Sequence, residues 1–117
     1  MSAAHDLGRD GEDTVAFWYQ RHGYCILERN YRTATGEIDL IVTVDRLVVF
    51  CEVKTRSSDR HGGGAAAVGH RKQQRIRSVA IEWLRQSDGS WPELRFDVAS
   101  LRRRAHGFDV DVIEAAF

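Results

Sequence analysis

The chain has 117 residues, 43% of them hydrophobic, which is enough for one compact core and too little for two ordinary domains. Its 17 basic and 17 acidic side chains cancel, so no overall field draws it to a polyanion and any positive surface must be local. The opening MSAAHDLGRDGED lacks a basic segment followed by an apolar one, and no run of about 18 apolar residues occurs, so neither a leader nor a membrane span is expected and the chain reads as cytoplasmic.

From Asp6 to His22, Gly8, Gly11, Glu12, Val15, Ala16 and Tyr19 recur at three- and four-residue steps. This predicts a helix whose inward stripe is interrupted by a single carboxylate. Glu12 is open to two readings, a charge favoured by the helix dipole or a third acid of a site. Gly23 is a natural C-terminal stop. Tyr24 to Tyr31 then reads as a first strand, polar at its far end, and Thr33 to Gly36 as a turn.

The stretch Gly36 to Arg56, GEIDLIVTVDRLVVFCEVKTR, carries the chemistry. Polar and apolar residues alternate from Glu37 to Val44, which puts Ile38, Leu40, Val42 and Val44 on one side and Glu37, Asp39, Ile41 and Thr43 on the other. From Leu47 to Thr55 a second strand places Glu52 and Lys54 on the face of Val48 and Phe50. Only Asp45 and Arg46 separate the two runs, which fits a tight hairpin. If Val44 pairs with Leu47, Asp39 faces Glu52 and Glu37 faces Lys54, with opposed Cβ atoms about 4.5 to 5.5 Å apart. Two carboxylates that close repel unless a cation lies between them, and a hard divalent ion suits oxygen ligands. With an ammonium beside it, such an ion can polarise a phosphodiester and activate water. The competing reading is a charged, solvated strand face; the apolar runs around Asp39 and Glu52 weigh against it, because unpaired carboxylates are costly there.

After Lys54 the polar, glycine-rich run TRSSDRHGGG is a loop. A second helix is predicted from about Ala65 to Gln86, with Val68, Lys72, Ile76, Val79, Ala80, Trp83 and Leu84 on one stripe. Between Lys54 and Arg85 eight basic residues stand against two acidic ones. Arg56, Arg71, Lys72, Arg75 and Arg77 are therefore either a solvated face or a track for phosphates. Two more strands follow, Leu94 to Leu101 and Phe108 to Ile113, joined by a basic turn from Arg102 to Gly107. Arg95 and Asp97 read as a polar strand face. Cys25 and Cys51 lie in apolar runs without metal-ligand spacing and read as buried thiols, and the scattered histidines do not make a zinc site.

The order helix, three strands, helix, strand, with Asp39 on the second strand and Glu52-Val53-Lys54 on the third, resembles the restriction-endonuclease-like superfamily of PD-(D/E)XK nucleases. More closely, the chain is similar to the bacterial YraN family through Gly11-Glu12, Arg29-Asn30-Tyr31-Arg32, Gly36 to Ile41, Val49 to Arg56, Lys72 with Ile76, and Arg95 to Val98. The resemblance implies one α/β nuclease-like domain over residues 1–117, with a restriction-endonuclease-like mixed central sheet flanked by helices, in the order αβββαβ plus an extra C-terminal strand. It further implies Asp39 and Glu52 as metal ligands, Lys54 as the catalytic lysine and Glu12 as a first-helix acid beside the metal. The implied activity is Mg2+-dependent hydrolysis of DNA, with Mn2+ as a substitute, selective for branched or damaged structures. With no added recognition element, shape fits better than sequence readout, and a homodimer would engage two strands. The alternative is a nucleic-acid-binding or scaffold protein that keeps the fold without turnover.

Overall fold

A computed structural model describes residues 3–56 and 68–117, with side chains from residue 10 onward. The elements run α1 (Ala3–Arg21), β1 (Cys25–Arg32), β2 (Glu37–Val44), β3 (Leu47–Arg56), α2 (His70–Gln86), β4 (Glu93–Arg104) and β5 (Gly107–Ile113). The strands form one sheet in sequence order, β1-β2-β3-β4-β5. Neighbours are antiparallel except β3 and β4, which run parallel. A parallel pair cannot be joined by a tight turn and needs a long crossover, which here contains α2. The result is an α/β fold with a mixed five-stranded sheet and two helices, compatible with the restriction-endonuclease-like class.

One helix packs on each face of the sheet, which is why β3 reads as a nearly unbroken apolar run. Val48 and Phe50 join Ile41, Phe96 and Val98 against Ile76, Val79, Ala80 and Trp83 of α2. Val49 and Cys51 join Leu40, Val42, Ala99 and Leu101 against Val15, Ala16 and Tyr19 of α1. Successive residues of β3 therefore feed opposite cores, and the expected face for Glu52 and Lys54 is the one under α2.

The β2–β3 hairpin has the expected register from Val44↔Leu47 to Leu40↔Cys51. Asp45 takes the left-handed conformation (φ 52°) that such a turn favours and that Asp tolerates better than most residues. The ladder ends there, so the expected direct pairing of Asp39 with Glu52 is corrected: the Val53 N–H donates instead to Asp39 Oδ2 at 2.8 Å. The face pattern of β2 also changes at Asp39. Ile38 packs in the α2-side core and Leu40 in the α1-side core, although strict alternation would put both on one side. The neighbouring strand is irregular at the same level, with Asn30 at φ 52° between the pairs Arg29↔Leu40 and Tyr31↔Ile38.

Other expectations shift at element ends. The glycine-rich run and the predicted first residues of the second helix lie largely outside the described residues. β4 continues through Arg102, Arg103 and Arg104, because Arg102 and Arg104 both pair across the β4–β5 hairpin with Asp109. Cys51 is buried, but Cys25 is exposed, since it begins an edge strand with open surroundings. Among the described residues no helix is long and apolar enough to cross a membrane.

Candidate active site

β3 delivers Glu52 and Lys54 to the α2 face, and there Glu52 is buried. A carboxylate at that depth needs a partner, and it has one: Lys72 Nζ lies 2.8 Å from Glu52 Oε1. Lys72, Arg75, Ile76 and Val79 follow the spacing of a single helix face, so the residues that anchor α2 by its apolar side chains also aim the lysine at the sheet. Burial alone would lower the Lys72 pKa. The hydrogen bond to Glu52 and the charges of Glu52 and Asp39 outweigh it and raise the value, with Lys54 close enough to enter the same balance.

Asp39 has the opposite problem. Burial and the negative charge of Glu52 push its pKa up to about 7, against the pull of the Val53 N–H, and the charges of Glu12 and Glu37 raise it further. Four carboxylates from α1, β2 and β3 thus act on one place. Glu12 reaches this neighbourhood because of the residue before it. A Cβ on Gly11 would come within 2.8 Å of Leu101 Cδ1 and 3.2 Å of Thr55 Oγ1, so only glycine lets α1 lie this close to the ends of β3 and β4.

The turn that presents Asp39 is fixed from α2. The Thr33 and Thr35 hydroxyls donate to the two carboxylate oxygens of Glu82, at 2.8 and 3.2 Å, and the Thr33 N–H donates to the Gly36 carbonyl at 2.8 Å. Gly36 itself lies under Arg75, whose Cδ would be 2.8 Å from an added Cβ. A cleft of about 230 Å³ opens beside this crossing, lined by Gly36, Glu37, Glu52, Lys72, Arg75 and Ile76.

Among the described residues no three His, Cys, Asp or Glu side chains close into a metal cage. The donor set still fits a hard divalent ion. Mg2+ is commonly held by one or two carboxylates and completes its shell with water. Asp39, with its raised proton affinity, and Glu52, which takes up an ammonium, both show a demand for positive charge. Those two residues, with Glu12 nearby, are the ones that would hold it.

The basic residues of α2 separate into two groups. Lys72 and Arg75 line the cleft, and Arg71 is exposed beside them. Arg77 belongs elsewhere: its guanidinium lies 4.8 Å from the Phe96 ring centroid and 5.4 Å from that of Phe117. Arg56 ends β3 next to Arg102 of β4, at the same end of the sheet as Glu52 and Lys54.

Residues 11–101 match the model of the uncharacterised protein family UPF0102, and that span includes every residue of the cleft. The chain belongs to this family, the YraN family. It is 44% identical to the UPF0102 protein of Frankia casuarinae over 118 aligned residues, covering all of both chains. With the UPF0102 protein of Rhodococcus opacus it shares 45% identity over 84% of this chain and 85% of that one. The same identity holds with the UPF0102 protein of Nitrosomonas europaea, over 83% and 81%.

One buried polar centre of this YraN-family chain was hidden in the sequence. Asp97, expected on a polar strand face, is fully buried and accepts from the Tyr19 hydroxyl (2.7 Å), both Nε and Nη2 of Arg95 (2.8 and 2.9 Å) and the Ala115 N–H (3.1 Å). It ties α1, β4 and the segment after β5 together. The hydrogen bonds to Asp97 lead the causes that raise the Arg95 pKa. The available signal was Arg95 and Asp97 two residues apart on one strand face, inside an apolar run. Glu82 had a similar signal, being one of only two acids in the basic segment Lys54 to Arg85.

Proposed function

We propose that this protein is a divalent-metal-dependent nuclease acting on DNA phosphodiester bonds, with Asp39 and Glu52 as the metal ligands. The observation that carries the reading is the buried Glu52 at the cleft, paired with Lys72, with Asp39 and Lys54 close enough to act on that same lysine. A bound Mg2+ or Mn2+ would supply Lewis-acid polarisation of the phosphoryl oxygens and a more acidic water. The protein's own groups do the rest. Lys54 meets negative charge as it develops on the phosphorane, in a site preorganised by β3. Arg75, laid over Gly36, holds a non-bridging oxygen or the flanking phosphate, and Glu12 orients the water network from α1. A cleft shaped by short turns, with no groove-reading element among the described residues, favours selection of DNA by structure over sequence.

A panel of supercoiled, single-stranded, flapped and four-way-junction DNA, with RNA as control, tests this in Mg2+ and Mn2+. Cleavage by the parent and none by Glu52→Ala supports the reading. Equal cleavage by both assigns the activity to a contaminant and removes it. One observation favours a non-catalytic alternative, a DNA-binding protein on the same fold: Glu52 is already paired with Lys72. Binding of these DNAs unaffected by metal, with no cleavage of any, would establish that alternative.

A further inference from the structure

Glu52 has 8% of its side chain exposed and meets Lys72 Nζ at 2.8 Å. Lys72 thus does for this carboxylate what a metal ion would do, since an ionised group at that depth is costly without a cation. The two partners differ in their freedom to move. Glu52 belongs to the central strand, its backbone in register with Val98 of β4 on one side and next to the Asp39–Val53 bridge on the other. Lys72 stands in the first turn of α2 on a four-carbon stem, with 40% of its side chain open to solvent and the cleft beside it. Lys72 is the partner that can leave.

We propose that Lys72 and a divalent cation are alternative partners of Glu52, so that metal binding releases the Lys72 ammonium into the cleft, where it takes a phosphate of the nucleic acid. The proposal rests on the metal-dependent reading above and adds a coupling between metal and DNA to it. Lys72 is then a positioning residue with two effects of opposite sign. It weakens metal binding, because it must be displaced, and it strengthens DNA binding once the metal is present. A structural ion pair alone would not produce the second effect, and a fixed phosphate contact would act equally with and without metal. Binding linkage requires the coupling to be reciprocal, so DNA should raise metal affinity by the same factor.

The test compares the parent with Lys72→Met. Calorimetry and thermal melting are run with Mn2+ alone, and anisotropy of a labelled DNA duplex is run with and without Ca2+, a hard cation chosen to limit turnover. Lys72→Met should melt lower than the parent without metal, bind Mn2+ about fivefold or more tightly, and gain more in melting temperature from Mn2+. The rise in DNA affinity that Ca2+ gives the parent should be lost. Lys72→Arg, which keeps a cation for Glu52, should stay near the parent in Mn2+ affinity; if Lys72→Met fails to fold, Lys72→Gln takes its place with the same expectations. Unchanged or weaker Mn2+ binding by the uncharged variant, in a parent that does bind Mn2+, overturns the exchange and leaves the metal-dependent reading standing. Absence of Mn2+ binding in both proteins removes the two together. Tighter Mn2+ binding with the DNA coupling intact overturns the release of Lys72 toward phosphate.

Discussion

Asp39 Oδ2 accepts the Val53 N–H at 2.8 Å, a side chain bonding the neighbouring strand just where the β2–β3 ladder ends. This bond favours the charged carboxylate, but burial and the negative charge of neighbouring Glu52 outweigh it and make that charge expensive. Its pKa is raised from 3.8 to about 7, so between those values the folded protein holds a proton that the unfolded chain gives up. Stability from this group is therefore full below about pH 4, falls as pH rises toward 7 and is lost above it. Asp39→Asn should flatten that part of the metal-free stability profile, by about 1–4 kcal/mol between pH 4 and 8. Denaturant melts of parent and variant across the range measure it; parallel profiles would show that Asp39 is not strained.

The same logic predicts when metal helps. Mn2+ competes with a proton for Asp39, so its effect on the parent's melting temperature should be larger at pH 8 than at pH 5.5. Asp39→Asn should lose most of the rise at either pH. A rise independent of pH and of Asp39 would place the ion elsewhere.

Lys54 lies on the Glu52 face without being the residue that pairs with it, which suits a group acting on the reacting phosphate. Lys54→Met should reduce cleavage by about 10²–10³-fold while DNA affinity changes little. Rate measurements at saturating DNA, set beside anisotropy, separate the two. Matching losses in rate and affinity would make Lys54 a simple phosphate contact.

Much of this arrangement could be read from the sequence where the relevant forces are local. The two-residue gap between Val44 and Leu47 and the apolar runs around it fix the hairpin, and alternation from Val48 to Lys54 fixes the face of Glu52. The extrapolation to Asp39 misses because a side-chain acceptor replaces the next ladder bond and the strand changes face there, which no period-two rule contains. Tyr19 with Asp97 and Thr33 with Glu82 were illegible for another reason. They join residues 78 and 49 positions apart, so their partners are set by tertiary packing. Lys72 could be seen to point inward from its place on an apolar stripe; that it meets Glu52 required the fold.

The Tyr19–Asp97 bond also separates stability from activity. Asp97 lies beside Cys51 in the β3–β4 register, on the α1 side of the sheet, away from the cleft under α2. Asp97→Ala leaves Arg95 without its bidentate partner and should cost about 3–5 kcal/mol, whereas Tyr19→Phe removes one charge-assisted bond and should cost about 1.5–3 kcal/mol. The folded fraction of either variant should keep parental metal binding. Loss of Mn2+ affinity in folded Tyr19→Phe would mean that α1, and Glu12 with it, depends on this bond for its position.

The division of the α2 arginines gives a prediction that a uniform basic track would not. Arg75 crosses Gly36 and lines the cleft, Arg71 is exposed one turn earlier, and Arg77 stacks over Phe96 and Phe117. Each phosphate contact removed should lower the slope of log affinity against log salt by about 0.9 on duplex DNA. Arg75→Ala should show that decrease and bind all sequences more weakly, and Arg71→Ala should show it as well if the track extends past the start of the helix. Arg77→Ala should leave the slope unchanged and instead lower stability by about 0.5–2 kcal/mol, the range for a cation over an aromatic face. Anisotropy over a salt series for the three single variants, with melts of each, decides between the two arrangements. Equal slope changes in all three would restore the continuous track and would require Arg77 to leave its aromatic partners when DNA binds.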